Sequence, residues 1–200
     1  MNNFKYIFKQ IKDKSCKIAV IGLGYVGLPL SILIAKKNFR VFGYDEDSKK
    51  INNLRRKKTY INHIDQKLLS QVIQRKKLIP TNQLSDIKNV DIIIICLPTP
   101  LSHYKKPDLS FLRKVSRVIK NYLLNTPKLI ILESTTYPGT TDELFIKNFK
   151  KKNLIDGENY FMAYSPERED PGNKNFKTET IPKVVGANNL NSKKLISEFY

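Results

Sequence analysis

The stretch VIGLGYVGLPLSILIA, residues 20–35, limits the possible folds more than any other part of this chain. No charged residue occurs from position 18 to position 35, close to the roughly 18 residues that a helix needs to cross a bilayer. Lys17 on one side and Lys36 and Lys37 on the other would flank such a span. Against it stand Gly22, Gly24, Gly27 and Pro29, since each glycine inside a helix costs about 1 kcal/mol relative to alanine. The two halves also differ in kind. KIAVIG is a short β-branched run ended by glycine, as a buried parallel strand would be, whereas VGLPLSILIAKK is a helix-length apolar segment closed by lysines. A signal peptide fits poorly, because the polar start MNNFKYIFKQIKDKSCK is too long for an n-region and no small-x-small cleavage site follows. The stretch therefore reads as strand, turn and helix, and no membrane insertion is expected.

Short apolar runs alternate with amphipathic ones along the rest of the chain. RVFGYD (40–45) is a second strand ending in an acid. Residues 46–74 are lysine-rich, with Ile51, Leu54, Leu68, Leu69 and Val72 at helical spacing, which predicts one or two surface helices. VDIIIICLP (90–98) is the clearest buried strand, stopped by Pro98 and Pro100, and it includes Cys96 as a core thiol. An amphipathic helix over 109–124, a strand KLIILEST (128–135) and a helix TTDELFIKNFKKK with Thr141 as its cap come next. Then YFMAYS (160–165) and KVVGA (183–187) read as strands, and a last helix opens at Asn191 or Ser192. This alternation predicts an α/β fold, a Rossmann-type doubly wound parallel sheet with helices on both faces.

Composition narrows the partners. The formal charge is +18, from 36 Lys and Arg against 18 Asp and Glu, large enough to raise the question of nucleic acid. The lysines, however, are scattered in pairs such as Lys49-Lys50, Lys57-Lys58, Lys76-Lys77 and Lys193-Lys194, without an RNA-binding signature, zinc-finger spacing or a basic heptad region. Charge of this kind accounts for non-specific affinity alone, so no specific nucleic-acid partner is expected. Cys16 and Cys96 form neither a disulfide framework nor a metal-ligand spacing, which suggests a reduced, cytoplasmic setting and no metal.

Gly22, Gly24 and Gly27 form G-x-G-x-x-G between the first strand and its helix. Gly22 permits the tight turn, Gly24 lets backbone approach a pyrophosphate, and Gly27 lets helix pack on strand. The helix N-terminus adds unpaired N–H groups and partial positive charge. Asp45, about 20 residues on, stands where a carboxylate accepts both hydroxyls of an adenosine ribose. An acid there disfavours a 2′-phosphate, so NAD is expected over NADP. Methyltransferases share a glycine-rich turn and an acid after the second strand, and remain a rival at this point. Two later loops, STTYPGTT (134–141) and SPEREDPGN (165–173), place hydroxyls and charges at strand carboxyl ends, where ligands of open α/β sheets sit.

GLGYVGLPL, CLPTP, STTYPGTT and YSPEREDPGN, in this order and spacing, resemble the NAD-binding half of the UDP-glucose/GDP-mannose dehydrogenases. SPEREDPGN followed by TIPKVVG is most similar to the bacterial UDP-N-acetylglucosamine 6-dehydrogenases, which make uronic acids for surface polysaccharide. The resemblance runs from residue 17 to 200. It implies an N-terminal extension over 1–16, an NAD-binding domain over 17–190 and the start of a connecting helix over 191–200, with the middle and C-terminal domains absent. In such enzymes nicotinamide takes hydride from C6 of the sugar twice, through an aldehyde and a cysteine thiohemiacetal, and two NADH form. By the same resemblance Gly22, Gly24, Tyr25, Val26 and Gly27 belong to the dinucleotide turn. Asp45 corresponds to the ribose acid and Lys50 to a basic residue near the adenosine end. Thr99 and Thr135 line the cofactor and the reaction centre, and Glu167 positions or activates water for thioester hydrolysis. Arg168 is a sugar or phosphate contact, or an ordinary solvent-facing arginine. The family's nucleophilic cysteine belongs to segments beyond Tyr200, so this chain alone is expected to be inactive. In the full-length form the resemblance implies a homodimer or larger assembly acting on a UDP-sugar.

Overall fold

The structure, a computed structural model, describes residues 2–101, 103, 105–123, 126–167 and 182–200. The apolar stretch that could have been a membrane span divides into strand β1 (Lys17–Ile21) and helix α2 (Gly27–Lys36) around the glycine turn. Among the described residues no helix is long and apolar enough to cross a membrane. The other strands are β2 (Arg40–Tyr44), β3 (Leu78–Thr81), β4 (Ile92–Ile95), β5 (Leu129–Leu132) and β6 (Phe161–Tyr164). All pair in parallel, in the order β3-β2-β1-β4-β5-β6. This is the doubly wound Rossmann arrangement expected from the strand-helix alternation, with the reversal of strand order between β1 and β4.

Alternate side chains of each strand feed two separate cores, because successive residues of a strand face opposite sides of the sheet. Ile18, Val20, Ile92, Ile94, Leu129 and Ile131 pack beneath α2, the N-terminal helix α1 (Asn3–Lys12) and the last helix α7 (Leu190–Phe199). Ala19, Ile21, Ile93, Ile95, Ile130 and Leu132 pack against α5 (Ser110–Tyr122) and the helical segment of Asp142–Ile146 and α6 (Lys147–Lys150). Helices α3 (Ser48–Arg55) and α4 (Gln66–Gln74) occupy the lysine-rich stretch and bury Ile51, Leu54, Leu69 and Val72. Residues 2–12 are an integral part of the packing: Ile7 and Ile11 are buried and Phe4 meets the Phe161 ring edge-on. Helix α7 likewise buries Leu195 and Ile196.

Four local expectations differ from what the chain does. Strand β3 went unread because it is four residues long and contains Pro80, tolerable only because β3 lies at the sheet edge. KVVGA is not a strand. It makes one antiparallel bridge, in which Gly186 and Tyr164 exchange N–H···O bonds of 2.8 and 2.9 Å, and Val184 is 51% exposed, without the burial a further strand would have. Thr141 caps nothing, being already helical, while the Thr140 hydroxyl donates to the Tyr137 carbonyl at 2.7 Å. Helix α7 is capped by Asn189, whose side chain accepts from Ser192 N–H at 2.8 Å, two residues before the expected start.

Lys128, just before β5, is fully buried and ties the sheet's amino edge together. Its ammonium donates to the carbonyls of Lys88 and Val90 at 2.9 and 2.6 Å and to the Thr126 hydroxyl at 2.9 Å. Burial pushes this amine down to about 8 from its ordinary 10.5, against the opposing pull of Asp91. Between those values the unfolded chain holds the proton and the folded chain does not, so Lys128 contributes stability that grows as pH rises through that window. Urea unfolding of the wild type and Lys128→Met is expected to show their stability difference moving in favour of the wild type from about pH 8 to about pH 10.5. A difference that does not vary with pH would contradict this account.

Candidate functional site

The carboxyl ends of β1, β2, β4, β5 and β6 open onto one cavity of about 620 Å³, within the range of small-molecule and cofactor sites. Its centre is the glycine turn. Gly22 has φ +94°, and a Cβ there would stand 2.5 Å from the Cys96 carbonyl oxygen. A Cβ on Gly27 would stand 1.8 Å from the Gly22 carbonyl oxygen, so helix and turn touch only because both side chains are missing. Gly24 is different: a Cβ there meets nothing within 4 Å, which leaves open the path by which backbone meets a ligand. Helix α2 begins at Val26 without a side-chain cap, so no side chain occupies the N–H groups that an anion would take.

Asp45 sits at the end of β2 and is 7% exposed. Its Oδ2 accepts from Leu23 N–H at 2.9 Å and from the Lys50 ammonium at 3.0 Å, and its Oδ1 accepts from Asp47 N–H at 3.0 Å. The carboxylate is thus locked to the glycine turn, with Lys50 beside it. Tyr60 braces the turn from outside by donating to the Leu23 carbonyl at 2.6 Å, while Tyr25 stacks on His63 with ring centroids 6.1 Å apart. An apolar wall of Tyr44, Leu84, Phe111 and Val115 completes this end of the cavity.

At the other end, Thr99 donates to the Thr135 carbonyl at 2.5 Å and joins the loops after β4 and β5. Glu133, Thr135 and Glu167 line the same cavity as Asp45. The Lys183 ammonium lies 3.2 Å from Glu133 and 3.4 Å from Glu167. Burial works against a charge on Lys183, but Glu133 and Glu167 outweigh it and raise the amine above its ordinary range. Arg168 lies outside the described residues. Cys96 requires a correction: it is the first residue past β4, half-buried and lining the cavity, not a member of the strand. Burial, reinforced by Glu133 and Glu167, pushes its thiol well above the ordinary value, so it remains an unreactive thiol.

The residues named from the sequence therefore meet at one cavity: Gly22, Gly24, Tyr25, Val26, Asp45 and Lys50 around the turn, Thr99, Thr135 and Glu167 beyond it. Sequence reasoning missed Glu133, Lys183 and the apolar wall. Glu133 left a signal, a charged residue ending the otherwise apolar run LIILE. Lys183 left none, since only the tertiary path brings it between two carboxylates. A dinucleotide fits what is present: an open backbone at Gly24, an uncapped helix start and a preset ribose acid.

Comparison with known proteins agrees. The sequence profile of the UDP-glucose/GDP-mannose dehydrogenase family, NAD binding domain, matches residues 16–200. A UDP-N-acetyl-D-glucosamine 6-dehydrogenase of Pseudomonas aeruginosa is 35% identical over 188 residues, covering 94% of this chain and 43% of that protein. A UDP-N-acetyl-D-mannosamine dehydrogenase of Pyrococcus horikoshii is 37% identical over 158 residues, covering 78% and 37%. Among solved structures, an NDP-N-acetyl-D-galactosaminuronic acid dehydrogenase of Methanosarcina mazei Go1 superposes with a TM-score of 0.83 at 30% identity, over 100% of this chain and 44% of that one. The chain spans less than half the length of these relatives.

The two inner glycines are expected to respond differently to substitution. Gly24→Val should leave stability within about 0.5 kcal/mol of the wild type while abolishing dinucleotide binding, because it fills the approach to the backbone. Gly27→Ala should destabilise by more than about 2 kcal/mol, because its Cβ collides with backbone. Denaturant unfolding with calorimetric titration of NAD separates the two, and a fully binding Gly24→Val would remove the turn from the site.

Proposed function

The chain belongs to the UDP-glucose/GDP-mannose dehydrogenase family, whose NAD-binding domain it carries, and on that footing we propose that it is the cofactor half of a nucleotide-sugar 6-dehydrogenase. The substrate class is a UDP-linked 2-acetamido sugar, UDP-N-acetylglucosamine in the first reading, oxidised at C6 to the uronic acid with two NAD for surface polysaccharide. The observation that carries this reading is the single cavity in which Asp45 stands at one end and Glu167 at the other. UDP-N-acetylmannosamine is a second reading, favoured by the comparable identity to the mannosamine dehydrogenase.

In this reading each group has a task that its surroundings support. Asp45, aligned by Leu23 and Asp47 N–H groups, accepts the adenosine ribose hydroxyls, and Lys50 offsets its charge toward the diphosphate. The α2 N-terminus and the Gly24 backbone hold the pyrophosphate. Bound NAD supplies the acceptor for hydride. Thr99 and Thr135, tied together across the loops after β4 and β5, border the reacting carbon. Glu167, oriented by Lys183, orders a hydrolytic water and accepts its proton, and Arg168 contacts the sugar or a phosphate. Neither cysteine here serves as the nucleophile: Cys16 is buried with its thiol pushed up to about 12, and Cys96 is likewise held neutral. The thiol for the second oxidation then comes from outside these residues, as does the UDP-binding part, and the whole enzyme works as a homodimer or larger assembly.

Calorimetry and absorbance together test this reading. The wild type is expected to bind NAD in preference to NADP and to S-adenosylmethionine, and Asp45→Ala should weaken NAD by about 10²-fold. With NAD and either UDP-sugar present, this chain alone should form no NADH. Unchanged NAD affinity in Asp45→Ala would remove the assignment of the ribose site, and NADH formation would show that these residues bind and oxidise the sugar without the UDP-binding part.

A further inference from the structure

Of the charged groups lining the cavity that the proposed chemistry does not use, Glu133 is the buried one. Glu133 is the first residue past β5, with its side chain fully buried. Both of its oxygens are engaged: Oε2 lies 3.2 Å from the Lys183 ammonium, and Oε1 accepts the hydroxyl of Tyr200. The same ammonium lies 5.3 Å from the Tyr200 ring centroid and 3.4 Å from Glu167. The carboxylate thus has one orientation, and the two groups that hold it, Lys183 and Tyr200, come from different parts of the chain.

A charge in such a place is costly to bury, and a neutral glutamine would accept the Tyr200 hydrogen bond equally well. The position of Glu133 supplies a reason for the charge. A dinucleotide lies across the point where strand order reverses, here between β1 and β4, with its pyrophosphate at the glycine turn. Asp45 fixes the adenosine half on the β2 side, so the nicotinamide half extends over the ends of β4, β5 and β6, where Glu133 lines the cavity. Oxidised nicotinamide carries a positive charge, and reduced nicotinamide carries none.

We infer that Glu133 is a specificity-determining residue that makes this cavity favour the oxidised, cationic form of the cofactor over the reduced form. This rests on the NAD-binding reading above. Lys183 keeps Glu133 ionised and in place, and Glu167, Tyr200 and Cys96 are the other titratable groups facing it. Whatever further contacts Glu167 makes, replacing Glu133 by glutamine adds one positive unit to the cavity floor. Such a preference suits a site that must release the reduced cofactor after one oxidation and take up the oxidised one for the next.

The test is calorimetric titration of this chain with NAD, NADH and ADP-ribose, which keeps the adenosine half and lacks the nicotinamide. The wild type should bind NAD more tightly than NADH. Glu133→Gln should shrink that ratio about five- to ten-fold, leaving ADP-ribose affinity unchanged, and Lys183→Arg should preserve the ratio. A second arm needs no substitution. Burial raises the Glu133 carboxyl above its ordinary value, although Lys183 and Tyr200 pull it back, so lowering the pH protonates it. The wild-type preference should then fall relative to the ADP-ribose reference. A NAD/NADH ratio that moves by less than about two-fold in either arm overturns the inference and leaves NAD binding intact. A wild type that binds none of the three overturns the NAD reading and the inference together.

Discussion

The contact between Gly27 and the Gly22 carbonyl is the constraint on which the rest of the site depends. With no Cβ on Gly27, α2 approaches the end of β1 closely enough that its first turn faces the place where the strand stops. That approach sets the angle at which the helix crosses the sheet and brings the Leu23 N–H to Asp45 on the next strand, 2.9 Å away. It also makes the Cys96 backbone the wall of the turn, since Gly22 lies against the Cys96 carbonyl. Two missing side chains, on Gly22 and Gly27, therefore couple three neighbouring strands, β2, β1 and β4, at their carboxyl ends. The cavity is the space that this coupling leaves on the outer side of the sheet.

The parts of the fold that were legible in the sequence are those where local chemistry and tertiary placement agree. Ile92 to Ile95 read as a buried strand because both faces of the sheet are covered, so every position is apolar. Asp45 was legible for a similar reason: a carboxylate that ends an apolar strand has to meet donors, and the adjacent turn provides them. Where placement overrides local pattern, reading fails. Residues 2–12 look like a polar tail with three lysines and one aspartate nearby, yet α1 buries Ile7 and Ile11 because four-residue spacing puts them on one face. Leu78 to Thr81 carry a proline and are too short to alternate visibly, and only the free edge beside β2 makes them a strand. Lys183 could not be placed at all, because its partners Glu133 and Glu167 come from the loops after β5 and β6.

The electrostatics of the molecule run on two scales with opposite signs. Over the whole chain the charge is +18, a long-range field that draws anions such as a dinucleotide and weakens with added salt. Within the cavity the described lining is acidic, with Asp45, Glu46, Asp47, Glu133 and Glu167 against Lys50 and Lys114. These acids do not oppose phosphate uniformly, because most are neutralised locally. Lys50 pairs with Asp45, Lys114 with Glu46 at 3.2 Å, and Lys183 with both Glu133 and Glu167. In the proposed function phosphate meets the N-terminus of α2 and backbone N–H groups, while the acids are left for hydroxyls and, at the far end, for a ring that is cationic before reduction.

That division explains why the two ends of the cavity are built differently. At the Asp45 end the acid is held, beside the Lys50 ammonium, by two backbone N–H groups, Leu23 and Asp47, whose positions are set by the sheet and the glycine turn. At the other end Glu133 and Glu167 are held by side chains, Lys183 and Tyr200, which come after β6 in the chain. Backbone donors fix a group rigidly and do not titrate; side-chain donors can be displaced, protonated or exchanged as charge appears and disappears. A ribose needs the first kind of support, because its hydroxyls are the same in every turnover. A reaction centre that exchanges hydride and protons needs the second, which is the support found at the end of the cavity remote from Asp45.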